Sequence, residues 1–171
     1  MEKIIVSACL AGISCRYDGS NKNNEYVNKL VKEGKAIPLC PEQLGGLPTP
    51  REGCECKIID GEIHVISTSG KDYTENFQKG AEAVLEFAKK YNIKKAILQM
   101  NSPSCGVKTY DGSFSHTLAN YSGITAKLLR DNDIEVISIE DIHKVTTSLK
   151  EKFNIDVDNL EFIGEGYDSK S

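Results

Sequence analysis

The chain has 171 residues, enough for one well-buried domain and no argument for two. Its formal net charge of -4, with acidic and basic residues interleaved throughout, leaves no basic stripe for sequence-independent phosphate binding, so a nucleic-acid partner is disfavoured. No run approaches the ~20 apolar residues of a membrane span, and the apolar stretch before Cys9 falls far short of the ~7–15 that a secretory signal needs.

A cytoplasmic chain is therefore expected, in which the six cysteines are free thiols, ligands or nucleophiles rather than disulfides. Residues 3–8, KIIVSA, form a β-branched run that stops at Cys9 and a loop containing Gly12, which predicts a first buried strand. A helix follows, with Tyr26, Val27, Leu30 and Val31 on one face and Gly34 as its stop. Residues 35–39, KAIPL, predict a second strand, which Pro38 either ends or assigns to a sheet edge.

Between Cys40 and Gly53 lie three prolines and three glycines, so a long structured loop is expected there. Asp60-Gly61 between two β-prone runs predicts a hairpin inserted beside the main sheet. Asp72 with Glu75 has the spacing of a capping box, opening a long helix with its apolar stripe at Phe77, Ala81, Val84, Ala88 and Tyr91. Residues 95–100 predict a third strand, 122–130 a helix, and 135–139 a fourth strand. After His143 one more helix and an acidic tail are expected, dividing the chain into a domain at 1–145 and an extension at 146–171. Strands alternating with helices imply an α/β fold: a Rossmann-like or flavodoxin-like three-layer sandwich with a mostly parallel sheet.

Cys9, Cys40 and Cys105 each follow a predicted parallel strand and precede a loop rich in Gly or Pro. Parallel strands end on one edge, and ligands of open α/β sheets bind outside that edge, so three thiols distant in sequence can meet in one crevice. A single cysteine is usually a small buried hydrophobe. Three at equivalent strand ends point instead to a soft metal centre, either zinc or an iron-sulfur cluster. Zinc in a structural site would take a fourth ligand from Cys15 or from the closely spaced Cys54 and Cys56; a cubane on three thiolates would leave one iron open.

Beside these thiols, Glu42 on a loop stiffened by Pro41 is a candidate general acid or base once the crevice strips water from it. Ser102, on the Cys105 loop, is a candidate to hydrogen-bond substrate or water. Arg16 and Arg51 are by default solvated surface arginines, with the capacity to grip an anion or a carbonyl oxygen.

Taken together, SACLAGISCRYDG, CPEQLGGLPTPR, GKDYTENFQKGA, SPSCG and YDGSF resemble the cluster-binding module of the thiouracil desulfurases, over residues 1–143. The resemblance implies a [4Fe-4S] cluster on Cys9, Cys40 and Cys105, one iron free for the sulfur of a thiolated pyrimidine, and Glu42 and Ser102 as catalytic residues. It implies non-redox desulfuration of a substrate such as 2-thiouracil, releasing uracil and hydrosulfide. The reading from another class is a non-catalytic iron-sulfur or zinc-binding module that stores metal or docks on a partner.

Overall fold

The computed structural model describes residues 2–143; the helix expected after His143 and the extension at 146–171 lie outside the described residues. In chain order the elements are β1 (Ile4–Ser7), α1 (Glu25–Lys32), β2 (Ala36–Leu39), α2 (Pro41–Leu44), β3 (Cys54–Ile59), β4 (Glu62–Ser67), α3 (Thr74–Lys90), β5 (Lys95–Leu98), α4 (Ile124–Asp131) and β6 (Glu135–Ser138). Helical residues 139–143 close the described chain.

β1, β2, β5 and β6 form one parallel sheet in the order β2-β1-β5-β6, with Ile4 opposite Ala36, Ile5 opposite Ala96, and Lys95 opposite Glu135. β2 is an edge strand that continues through Pro38 to Leu39, one of the two outcomes that the proline allowed. Because side chains alternate along each strand, the sheet buries two faces. Ile4, Val6, Ile97 and Ile137 pack on one side with Tyr26, Val27 and Leu30 of α1 and with Ile139 and Ile142. Ile5, Ala96, Leu98 and Val136 pack on the other with Val84 and Ala88 of α3 and with Ala126 and Leu129 of α4.

Right-handed crossovers account for this sorting. The chain moves one way from β1 to β2, placing α1 on one face; it then reverses to β5, which places α3 on the opposite face. The reversal makes the gap between β1 and β5 a topological switch point. The expected three-layer α/β architecture is therefore the observed one.

β3 and β4 pair antiparallel as a separate two-stranded sheet around the Asp60-Gly61 turn. Leu47, Cys56, Val65 and Phe77 bury its inner face against α3. α2 is a single turn with Pro at its start, inside the stretch expected to be irregular, and it lies on α3 where Gly45 meets Gly80.

Three helix starts differ from expectation, α4 among them, which begins at Ile124 rather than at Ser122. Asn24 caps α1, its side chain accepting from Val27 N at 3.0 Å, a cap the apolar periodicity had not included. The Asp72–Glu75 capping box does not form: α3 begins at Thr74, and Asp72 accepts instead from Thr74 N at 2.9 Å and Thr74 Oγ1 at 2.5 Å. A local turn closed by a short Asp side chain has outcompeted the cap. Among the described residues no helix is long and apolar enough to cross a membrane.

Candidate metal centre

The carboxyl ends of β1, β2 and β5 open into one cavity of about 770 Å³, and Cys9, Cys40, Cys105, Glu42 and Ser102 all line it. Each arrives by a different piece of local structure. Cys9 sits in a 3-10 turn, Ala8–Ala11, directly after β1, and this turn stops at Gly12 with a left-handed φ of 86°. Cys40 leaves β2 as the residue before α2, whose first position is the proline that fixes the turn. β5 ends at Leu98, two residues earlier than expected, so Cys105 is carried by the loop beyond it.

That loop is held by Ser102. Its Oγ accepts from Ser104 N and Cys105 N, both at 3.1 Å. Both lone pairs are thereby engaged, which leaves the hydroxyl hydrogen as a donor beside the cavity.

Cys15 joins the same cavity, although its position eight residues beyond β1 tied it to no strand end. Its thiol lies within hydrogen-bonding reach of both Cys40 and Cys9. Hydrogen bonding with Cys40 favours the Cys15 thiolate, but the bond with Cys9 and burial outweigh it and push the thiol up to about 11. Cys40 is pushed upward by its bond with Cys15, by burial and by the Glu42 charge. Cys105, 4% exposed, is pushed up to about 12 by burial first and by the Glu42 charge next. These thiols are protonated without metal, so taking up a cation there releases protons.

Cys54 also faces the cavity, whereas Cys56 turns into the hairpin core, fully buried, with its Sγ 3.5 Å from Pro103 O. The two cysteines, two residues apart, share one face of β3, with Cys54 at its cavity end and Cys56 within the core.

Among the described residues no three His, Cys, Asp or Glu side chains close around one point as a single metal ion requires. A cubane presents its ligand positions at separate corners of a larger body, and soft thiolates around a roomy cavity suit it. The donor set therefore fits an iron-sulfur cluster.

Arg51 is the principal feature that the sequence concealed. Its side chain is only 7% exposed, and its Nη2 donates to Glu42 Oε2 at 2.5 Å and to Cys15 O at 3.0 Å. Nη1 donates to Pro48 O at 3.2 Å and Thr49 Oγ1 at 3.0 Å. The expected solvated arginine is instead a buried clamp joining the Cys15 loop to α2, and it supplies Glu42 with a counter-ion. Arg16 lines the cavity, with its guanidinium 5.7 Å from the centre of the Tyr17 ring.

Comparison with known proteins places this geometry in a family. Residues 4–141 match the family model of 2-thiouracil desulfurase. The chain is 42% identical over 149 residues to protein YbbK of Bacillus subtilis (strain 168), covering 83% of this chain and 99% of that one. It also resembles the solved structure of the [4Fe-4S]-dependent thiouracil desulfidase TudS, at 41% identity and a TM-score of 0.76, covering 88% of this chain and 99% of that chain. A family match spanning most of the chain, a curated relative matched over almost its full length and a neighbour of the same fold agree: the chain belongs to the 2-thiouracil desulfurase family.

Proposed function

We propose that this protein removes sulfur from a thiolated pyrimidine such as 2-thiouracil, water replacing the sulfur to give uracil and hydrosulfide without net redox change. The observation that carries the reading is the convergence of cavity-lining thiols with a clamped carboxylate and an aimed hydroxyl at the switch point of the sheet. Cys9, Cys40 and Cys105 would hold a [4Fe-4S] cluster. Bound there, the cluster supplies a Lewis-acidic iron for the substrate's sulfur.

Glu42 is the base of the reaction. Its carboxylate, oriented by Arg51, takes a proton from the water that attacks the ring carbon, and returns it to the departing sulfur. Ser102 donates its hydroxyl hydrogen to the substrate, because its oxygen is already committed to two amides. Arg51 serves through geometry: it fixes which Glu42 oxygen faces the cavity.

Anaerobic Glu42→Gln tests the assignment, with iron content and hydrosulfide release read on one sample. Iron is expected to stay and the rate to fall by about 10²–10⁴. Full iron with undiminished turnover removes Glu42 from the chemistry. Iron in the wild type without any hydrosulfide release from 2-thiouracil favours the carrier reading.

A further inference from the structure

One wall of the cavity comes from neither the sheet nor the thiol loops. Tyr110, Phe114 and His116, from a single short loop at 110–118, all face it. The loop is closed on itself by a bridge between Tyr110 and Leu118 and by Asp111 N donating to Thr117 O at 2.9 Å. Phe114 and His116 both hold left-handed φ angles, 60° and 61°, which bulky residues adopt only when their surroundings impose it.

The imposing group is Glu55 on β3. This carboxylate is 7% exposed, and its Oε1 accepts from Gly112 N and Phe114 N, both at 3.1 Å. Gly112 lies so close to β3 that a Cβ there would stand 2.8 Å from Lys57 Cβ and 2.9 Å from Cys56 O. A buried glutamate is thus spent on presenting one loop. Tyr110 and His116 cover each other, ring centres 4.9 Å apart and nearly parallel. Phe114 has no ring partner among the described residues and is 40% exposed at the cavity. An exposed aromatic ring in a cavity with polar groups on another wall fits a planar heteroaromatic ligand, whose edge takes hydrogen bonds and whose face takes a ring.

We propose that the loop 110–118, clasped by Glu55, is a stacking wall for the pyrimidine ring, in which Phe114 meets the ring face and Glu55 is a positioning residue acting through it. This rests on the desulfurase reading for the identity of the ring and adds the element that recognises it. The wall distinguishes a ring substrate from an acyclic thioamide of the same reactivity.

Phe114→Leu, Phe114→Tyr, Glu55→Ala and Glu55→Gln test it on the cluster-loaded protein, titrated with uracil, which carries the ring but no sulfur for iron, and with 2-thiouracil. Phe114→Leu and Glu55→Ala are expected to weaken binding of both by roughly 5- to 100-fold, the range for loss of one base–aromatic stack. Phe114→Tyr, which keeps a ring face, and Glu55→Gln, which keeps the acceptor oxygen, are expected to restore it. In turnover the loss falls on KM rather than kcat. Hydrogen exchange supplies a readout independent of the cluster: the Gly112 and Phe114 amides are protected in wild type and Glu55→Gln, and exchange faster in Glu55→Ala. Wild-type binding by Phe114→Leu, unaltered binding by Glu55→Ala despite freed amides, or a wild type that binds neither ring compound overturns the wall. A wild type that binds 2-thiouracil but releases no hydrosulfide overturns the reaction, and the binding series then judges the wall by itself.

Discussion

Gly80 of α3 lies against the carbonyl of Pro41 so closely that a Cβ on Gly80 would stand 1.9 Å from that oxygen, and one on Gly45 would stand 2.0 Å from Asn76 O. Two backbones cross here with no side chain between them. The turn that carries Cys40 and Glu42 into the cavity is thereby seated on the longest helix of the described chain. In an ordinary helix interior Gly→Ala stabilises by up to about 1 kcal/mol. Here overpacking, about 1–3 kcal/mol or more against rigid backbone, reverses the sign. Gly80→Ala is expected to lower the urea midpoint and to reduce iron loading together; a variant at least as stable as wild type would show that the crossing is loose.

Removing Arg51 acts on two loops at once. Arg51→Ala is expected to cost about 1.5–3 kcal/mol of stability, the range for hydrogen bonds to charged groups. With Glu42 left to wander, turnover is expected to fall by about 10²-fold. Arg51→Lys supplies the charge but not the planar fork that spans Cys15 O, Thr49 and Glu42, so it should recover only part of the rate. Full recovery by lysine would mean that charge alone matters.

The thiols of the cavity are expected to divide. Serine at Cys9, Cys40 or Cys105 should each abolish most iron binding, whereas Cys15→Ser and Cys54→Ser should retain it, measured as iron per chain after anaerobic reconstitution. Loss of iron from Cys15→Ser with retention in Cys105→Ser would move the ligand set onto Cys15 and the two thiols within its reach, Cys9 and Cys40.

Burial in the hairpin core pushes Cys56 from an ordinary 9.0 up to about 12, against a weaker downward pull from Thr109. Between those values the unfolded chain has lost the proton and the folded chain keeps it, so unfolding becomes easier as pH rises. The stabilising difference is fully present below pH 9 and is lost toward pH 12, at about 1.4 kcal/mol per pH unit for one such thiol. Chemical unfolding of metal-free protein should follow this decline, and Cys56→Ala should flatten its slope; an unchanged slope would assign the decline to the remaining thiols.

What was legible from the chain depended on distance. β1, β2, β5 and β6 announced themselves through short β-branched runs, and the common edge that collects Cys9, Cys40 and Cys105 follows from parallel topology. The apolar stripe of α3 marked its buried side from Phe77 to Ala88, but not at Tyr91, which caps the helix and is exposed. Arg51 was hidden, because its partners lie 9 and 36 residues away and nothing in PTPREG distinguishes a clamp from a solvated side chain. Cys15, nominated only as a possible fourth ligand, could not be tied to a strand end, because the turn that stops at Gly12 lies between it and β1. Glu55 carries no signal of its own in the sequence, because the use of its acceptor oxygen depends on a loop 57 residues downstream.

Pro38 has a further effect at the open side of the sheet. Ile4 N donates to Lys35 O at 3.0 Å, and backbone groups alternate along a strand, so Lys35 and Ile37 address β1 while Pro38 turns its nitrogen outward. An incoming strand from a second molecule would need a donor at that position, and a proline has none. Residue 38 therefore withholds a donor that edge-to-edge pairing would use. Pro38→Val would keep the register with Val6 while giving the rim the missing amide, and its signature would be concentration-dependent association of a chain that remains folded.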